Sequence, residues 1–136
     1  LDETIIKNPE DLDYKRMIEA TKEVIKDISD LGKVLVISRG ASAILKDKEN
    51  VLRVFFSANE DERISRAKKM HNLESDAEAI DLLKHADHAQ DEYFKKAFNL
   101  DFNDQSMYHL TLNTSNLTPE ECSSIILNLS KDKLTY

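Results

Sequence analysis

Between residues 12 and 31 apolar side chains return every three or four positions: Leu12, Met17, Ile18, Val24, Ile25, Ile28 and Leu31, with Thr21 on the same stripe. That spacing gathers them on one side of a helix, which Gly32 stops. The pattern then changes period. Val34 to Ile37 is an unbroken apolar run rich in β-branched residues, which predicts a strand covered on both faces in a parallel sheet. It ends in Ser38-Arg39-Gly40. After a polar turn from Lys46 to Asn50, Val51 to Ala58 predicts a second buried strand. Asn59 and, three residues on, Glu62 predict a capping box that opens a helix to about Met70.

A second box, Ser75 with Glu78, opens a long, highly charged helix whose apolar positions are Ala79, Ile80, Leu83, Ala86 and Phe94. A looser stretch, Asn99 to Ser106, leads into a third strand. There Tyr108, Leu110 and Leu112 alternate with polar residues, as in a half-buried or edge strand. Thr118-Pro119-Glu120-Glu121 combines an N-cap, a proline at the first helical position and a capping-box glutamate, and Ile125, Ile126 and Leu129 give the last helix its apolar face. Strands alternating with helices predict an α/β protein with a parallel sheet joined by right-handed crossovers.

Length and composition bound this picture. A chain of 136 residues with 40% apolar side chains suits one domain with one core. A formal charge of −7 argues against nucleic-acid binding, which needs clustered Lys and Arg, so any anionic ligand must be held locally. The single cysteine, Cys122, cannot make an internal disulfide, fits a reducing compartment and is read as a small core residue. No apolar run is long enough for a membrane helix and Leu1 to Pro9 has no signal-peptide pattern, so the expectation is a cytoplasmic protein with no membrane partner. The chain begins with Leu rather than Met, as a processed or trimmed product would.

Open parallel sheets bind ligands beyond the carboxyl ends of their strands. Arg39 lies two residues past an apolar strand, next to Gly40. Arg63 and Arg66 stand three apart near the start of a helix, where free N–H groups and arginine forks both favour phosphate; for that pair alone a solvated charged face is the commoner explanation. Two glycines in all, and no G-x-x-x-x-G-K-[ST], leave these 136 residues without a phosphate-cradling loop. His85 and His88 form an i, i+3 pair with no cysteine near it, and no serine sits in a G-x-S-x-G elbow, so neither a metal site nor a serine triad is expected.

In their order, the helix ending Leu31-Gly32-Lys33, the run Val34-Leu35-Val36-Ile37-Ser38-Arg39-Gly40-Ala41, Ile44-Leu45, Leu52 to Ala58, Glu62-Arg63-Ile64, Tyr93-Phe94 and Leu110-Thr111-Leu112-Asn113-Thr114-Ser115 resemble one family. It is the cytidylate kinase-like branch of the nucleoside monophosphate kinases, within the P-loop NTPase fold. The resemblance runs from about Ala20 to Leu129. It implies a parallel sheet of that type, formed by residues 1–136 as a single incomplete domain with a helical lid inserted at residues 60–106.

The same resemblance implies phosphoryl transfer from ATP, with Mg2+, to a pyrimidine monophosphate such as CMP or dCMP. Arg39 would contact the acceptor phosphate, Arg63 and Arg66 would lie near the donor's base and phosphates, and Asn113, Thr114 and Ser115 would border the donor base. The family's opening strand, glycine-rich loop and next helix would precede Leu1, so the N-terminal βα unit is expected to be absent and this chain alone inactive. Gln90, in Asp87-His88-Ala89-Gln90, stands where the lid usually carries an arginine, and Ser38 and His109 replace the usual Gly and Asp. A central slot without its strand would leave neighbouring strands unpaired and makes a homodimer possible. A catalytically dead module that binds nucleotide or protein is the alternative from a different class, and a helical scaffold with no ligand is the plainest.

Overall fold

The computed structural model describes residues 9–134. Its elements run α1 (Pro9–Asp30), α2 (Ala41–Ile44), β1 (Val54–Ser57), α3 (Glu60–His71), α4 (Asp76–Phe98), a 3₁₀ turn (Gln105–Met107), β2 (Leu110–Asn113) and α5 (Pro119–Lys133). The first helix forms where the apolar stripe predicts it, with Ile18 and Ile25 buried, while Met17, Val24 and Ile28 on the same stripe stay exposed. Gly32 at φ +68° turns the chain out of the helix. Lys48 ties the next turn back to it, donating to Ser29 Oγ at 2.7 Å and pairing with Asp30.

β1 and β2 pair in parallel with Val54 opposite Leu110 and Ser57 opposite Asn113, the arrangement the sequence predicts. Parallel strands need a long crossover, and α3 and α4 supply it. The pairing continues beyond both ends, from His109 N–H to the Arg53 carbonyl at 2.9 Å and from Thr114 N–H to the Ser57 carbonyl at 2.8 Å.

The expected strand at Val34 to Ile37 is not formed. The segment has no regular pairing among the described residues, and Leu35 and Ile37 are 85% and 78% exposed. A strand exists only through hydrogen bonds to a neighbour, and an apolar run alone does not supply one. The sheet therefore has two strands rather than three among the described residues. Two elements escaped the sequence pattern because they are too short to have a period: α2, and the 3₁₀ turn, whose N-cap Asp104 accepts from Ser106 N–H at 2.9 Å.

Helix starts show which local signals survive folding. Ser75 with Glu78 and Thr118 with Glu121 form complete capping boxes. The box expected at Asn59 does not form: Asn59 sits at the N-cap of α3 without a side-chain cap bond, because its Oδ1 accepts from Asn113 Nδ2 at 3.2 Å and Glu62 pairs with Arg66. Asn113 of β2 and Arg66, one turn on in α3, outcompete the local bond.

The core lies where α4 meets α2 and the loop before β2. Phe94 is 1% exposed and packs with Ala43 and Met107. Ring contacts at 4.9 to 5.5 Å run from Phe98 through Phe94 and Phe102 to Phe55 of β1, so aromatic packing fixes α4 to the sheet. Cys122 is buried on α5 as a free thiol. Among the described residues no helix is long and apolar enough to cross a membrane.

Candidate functional site

The carboxyl ends of β1 and β2 finish side by side at Ser57 and Asn113. Thr114 holds them together, donating from its N–H and its hydroxyl to the Ser57 carbonyl at 2.8 and 2.9 Å. Arg66, in the second turn of α3, closes over this junction. Its guanidinium donates to Thr114 Oγ1 at 2.8 Å, to the Thr114 carbonyl at 2.9 Å and to Glu62 at 3.1 Å.

The same junction collects the other polar residues of the β2 end. Asn113 Oδ1 accepts from Ser115 N–H at 2.9 Å, and Ser115 Oγ accepts from Asn59 N–H at 2.8 Å. Arg66 with Thr114, and Asn113 with Ser115 and Asn59, thus form two adjacent hydrogen-bonded groups at the strand ends. Beside it lies a groove of about 450 Å3 whose walls include Phe56, Arg66, Thr114, Leu117, Pro119 and Ile126. The groove is half open, largely apolar, and has the Arg66 guanidinium at its edge.

Arg63 shares α3 with Arg66 but turns the other way. It makes a two-pronged ion pair with Asp87 of α4, at 2.9 and 2.6 Å. The hydrogen bond to Asp87 raises the guanidinium above its ordinary pKa, against the opposing effect of burial. Positions three apart on a helix diverge by about 60°, enough to send the two forks to different neighbours.

Arg39 occupies a third place. Ser38, Arg39 and Gly40 are all left-handed, at φ +72°, +59° and +72°. For residues with a Cβ this conformation costs about 1–2 kcal/mol each and persists only where surroundings enforce it. α4 supplies the enforcement. Tyr93 donates its hydroxyl to the Arg39 carbonyl at 3.1 Å. Gly40 lies so close beneath Phe98 that a Cβ there would stand 2.4 Å from the ring. The Arg39 guanidinium itself is exposed and makes no hydrogen bond or ion pair among the described residues.

Asp87 and Tyr93 therefore each hold one arginine segment from the same helix. Both stood in the sequence, but nothing local linked them to Arg63 or Arg39, 24 and 54 residues away. A larger depression, about 550 Å3, lies along α3 near Lys68, Lys69 and Asp76, away from the strand ends; Lys68 is already tied to Asp76 at 2.7 Å. At the opposite end of the sheet, His109 Nδ1 accepts from Arg53 N–H at 3.0 Å. Burial, then the charges of Arg53 and Lys133, hold its pKa below the ordinary value.

Parallel strands joined through two crossover helices, with Arg66 closed over their carboxyl ends, define a helix-rich α/β protein. Residues 3–116 match the cytidylate kinase-like family, and the chain belongs to it. Among solved structures it is similar to an uncharacterized protein from Eubacterium ventriosum ATCC 27560, with a TM-score of 0.74 and 17% identity over 85% of this chain. The match spans 64% of that protein's chain, and at 17% identity the likeness concerns the fold alone. No curated protein matches the chain.

Proposed function

We propose that this chain forms the acceptor and lid part of a P-loop-type nucleoside monophosphate kinase whose complete form moves a phosphoryl group from ATP to a pyrimidine monophosphate. The observation that carries the reading is the Arg66–Thr114 closure at the strand ends, beside a groove of nucleoside size. In this reading the donor base enters the groove against the Arg66 guanidinium, whose flat face stacks well on a heterocycle, bordered by Asn113, Thr114 and Ser115.

Arg39 neutralises the acceptor phosphate, and its exposed guanidinium, unpaired among the described residues, supports that role. Arg63 exchanges Asp87 for donor phosphate. Residues 60–106 act as the lid that excludes water from the transfer. Charge neutralisation by guanidinium groups at the transferring phosphate is the main chemical service such a site provides. Among the described residues no three His, Cys, Asp or Glu side chains gather into a metal site. Mg2+ in phosphoryl transfer is held mainly by the nucleotide phosphates with one or two protein ligands, so it calls for no such cluster.

The test is a calorimetric titration of the chain with CMP and with ATP, before and after Arg39→Ala and Arg66→Ala, paired with an assay of ATP-dependent phosphorylation of CMP, dCMP, UMP and AMP. CMP affinity should fall with Arg39→Ala and ATP affinity with Arg66→Ala. Unchanged affinities in both variants would remove the proposed sites. Gln90, at the position where a lid arginine is expected, favours a second reading, a nucleotide-binding module without turnover. Binding that persists without phosphorylation in a form carrying the phosphate loop would select it.

A further inference from the structure

We infer that Tyr93 is the positioning residue of the Arg39 segment: its hydroxyl, with Phe98 packed on Gly40, holds the left-handed turn that presents Arg39 to a nucleoside monophosphate. The ligand named here rests on the reading above; the clamp itself rests on geometry alone. Three successive left-handed residues, two of them bearing a Cβ, do not hold without external restraint. Within the turn only the Ala41 N–H to Ser38 carbonyl bond, at 3.2 Å, closes it locally. The restraints come from α4.

Tyr93 reaches the Arg39 carbonyl at 3.1 Å, which fixes the peptide plane that follows Arg39. Phe98 lies 2.4 Å from where a Gly40 Cβ would stand, so the ring and the bare glycine backbone are in direct contact. Tyr93 and Phe98 also pack edge to face, ring centres 5.5 Å apart, so the hydroxyl is aimed by a neighbour that touches the same turn. The Arg39 side chain makes no hydrogen bond or ion pair among the described residues, and the held backbone sets the direction in which its Cα–Cβ bond leaves the turn. A backbone held in this way removes the backbone part of the ordering cost on binding, and the ligand orders the side-chain torsions.

Tyr93→Phe removes the hydroxyl and keeps the ring. Hydrogen exchange of the Ala41 amide should quicken about three- to tenfold in this variant, as expected for loss of one hydrogen bond, while its melting temperature stays within a few degrees. In titrations with CMP, Tyr93→Phe should weaken binding by about the same factor, and in an Arg39→Ala background it should add no further loss. Unchanged Ala41 exchange overturns the clamp whatever CMP does. Equal weakening with and without Arg39 overturns positioning through Arg39. If Arg39→Ala leaves CMP affinity unchanged, the nucleotide reading falls, and the exchange rate alone then supports or overturns the clamp.

Discussion

Arg66 grips Thr114 twice, through the hydroxyl at 2.8 Å and the carbonyl at 2.9 Å, and so joins helix α3 to the end of strand β2. A lysine in place of the fork reaches one of those acceptors at best. Arg66→Lys should lower stability by about 1 kcal/mol, since the site is exposed and water competes. Urea unfolding checks this, and a midpoint unchanged from the parent chain would contradict it.

Gly40→Ala meets two obstacles together. The new Cβ would stand 2.4 Å from Phe98, and φ is +72°. Overpacking and a left-handed alanine together should cost about 2–4 kcal/mol. Thermal melting should show it, and Phe98→Leu in the same chain should recover part of the loss by opening space.

Freeing Arg63 should leave the fold nearly untouched. The pair with Asp87 is 36% and 54% exposed on its two sides, so Asp87→Asn should cost about 0.5 kcal/mol. The released guanidinium should bind ATP more tightly than the parent does. Calorimetry on the variant decides it, and weaker ATP binding would mean that Asp87 aids Arg63 instead of competing for it.

The lower end of the sheet should respond to acid. His109 accepts the Arg53 N–H only when Nδ1 is unprotonated, and its pKa in the fold is lowered. The unfolded chain then takes up the proton first as pH falls. The contribution is complete above the ordinary value of 6.5, declines as pH drops below it, and is gone once pH passes the lowered folded value. Glu78 and Asp104 are also lowered, by hydrogen bonds at Ser75 and Ser106, but their losses belong below 4.5 and 3.8. Urea midpoints between pH 7.5 and 5 should slope in the parent and flatten in His109→Gln.

Local chemistry was the legible part. The boxes at Ser75 and Thr118 and the periodic first helix follow from patterns spanning a few residues, and the alternation of strands with helices points to a parallel sheet. That Arg66 would lie near Asn113, Thr114 and Ser115 was legible only through the family resemblance, not through any local pattern. What stayed hidden depends on distant partners. Nothing beside Asn59 reveals that Asn113 will take its amide, nothing beside Gly40 reveals the Phe98 ring, and Arg63 gives no sign of Asp87. The run at Val34 to Ile37 misled for the same reason, since its composition describes a strand but pairing requires a second chain segment.

That run also sets how the protein behaves in solution. Leu35 and Ile37 each retain most of the free energy that covering them would release, on the order of 3 kcal/mol for the two together. Ionic repulsion from the −7 net charge opposes close approach of copies at low salt. Raising salt screens that repulsion and leaves the apolar attraction in place, so adhesiveness, as the sedimentation coefficient at rising concentration reports it, should increase with ionic strength and fall in Leu35→Lys.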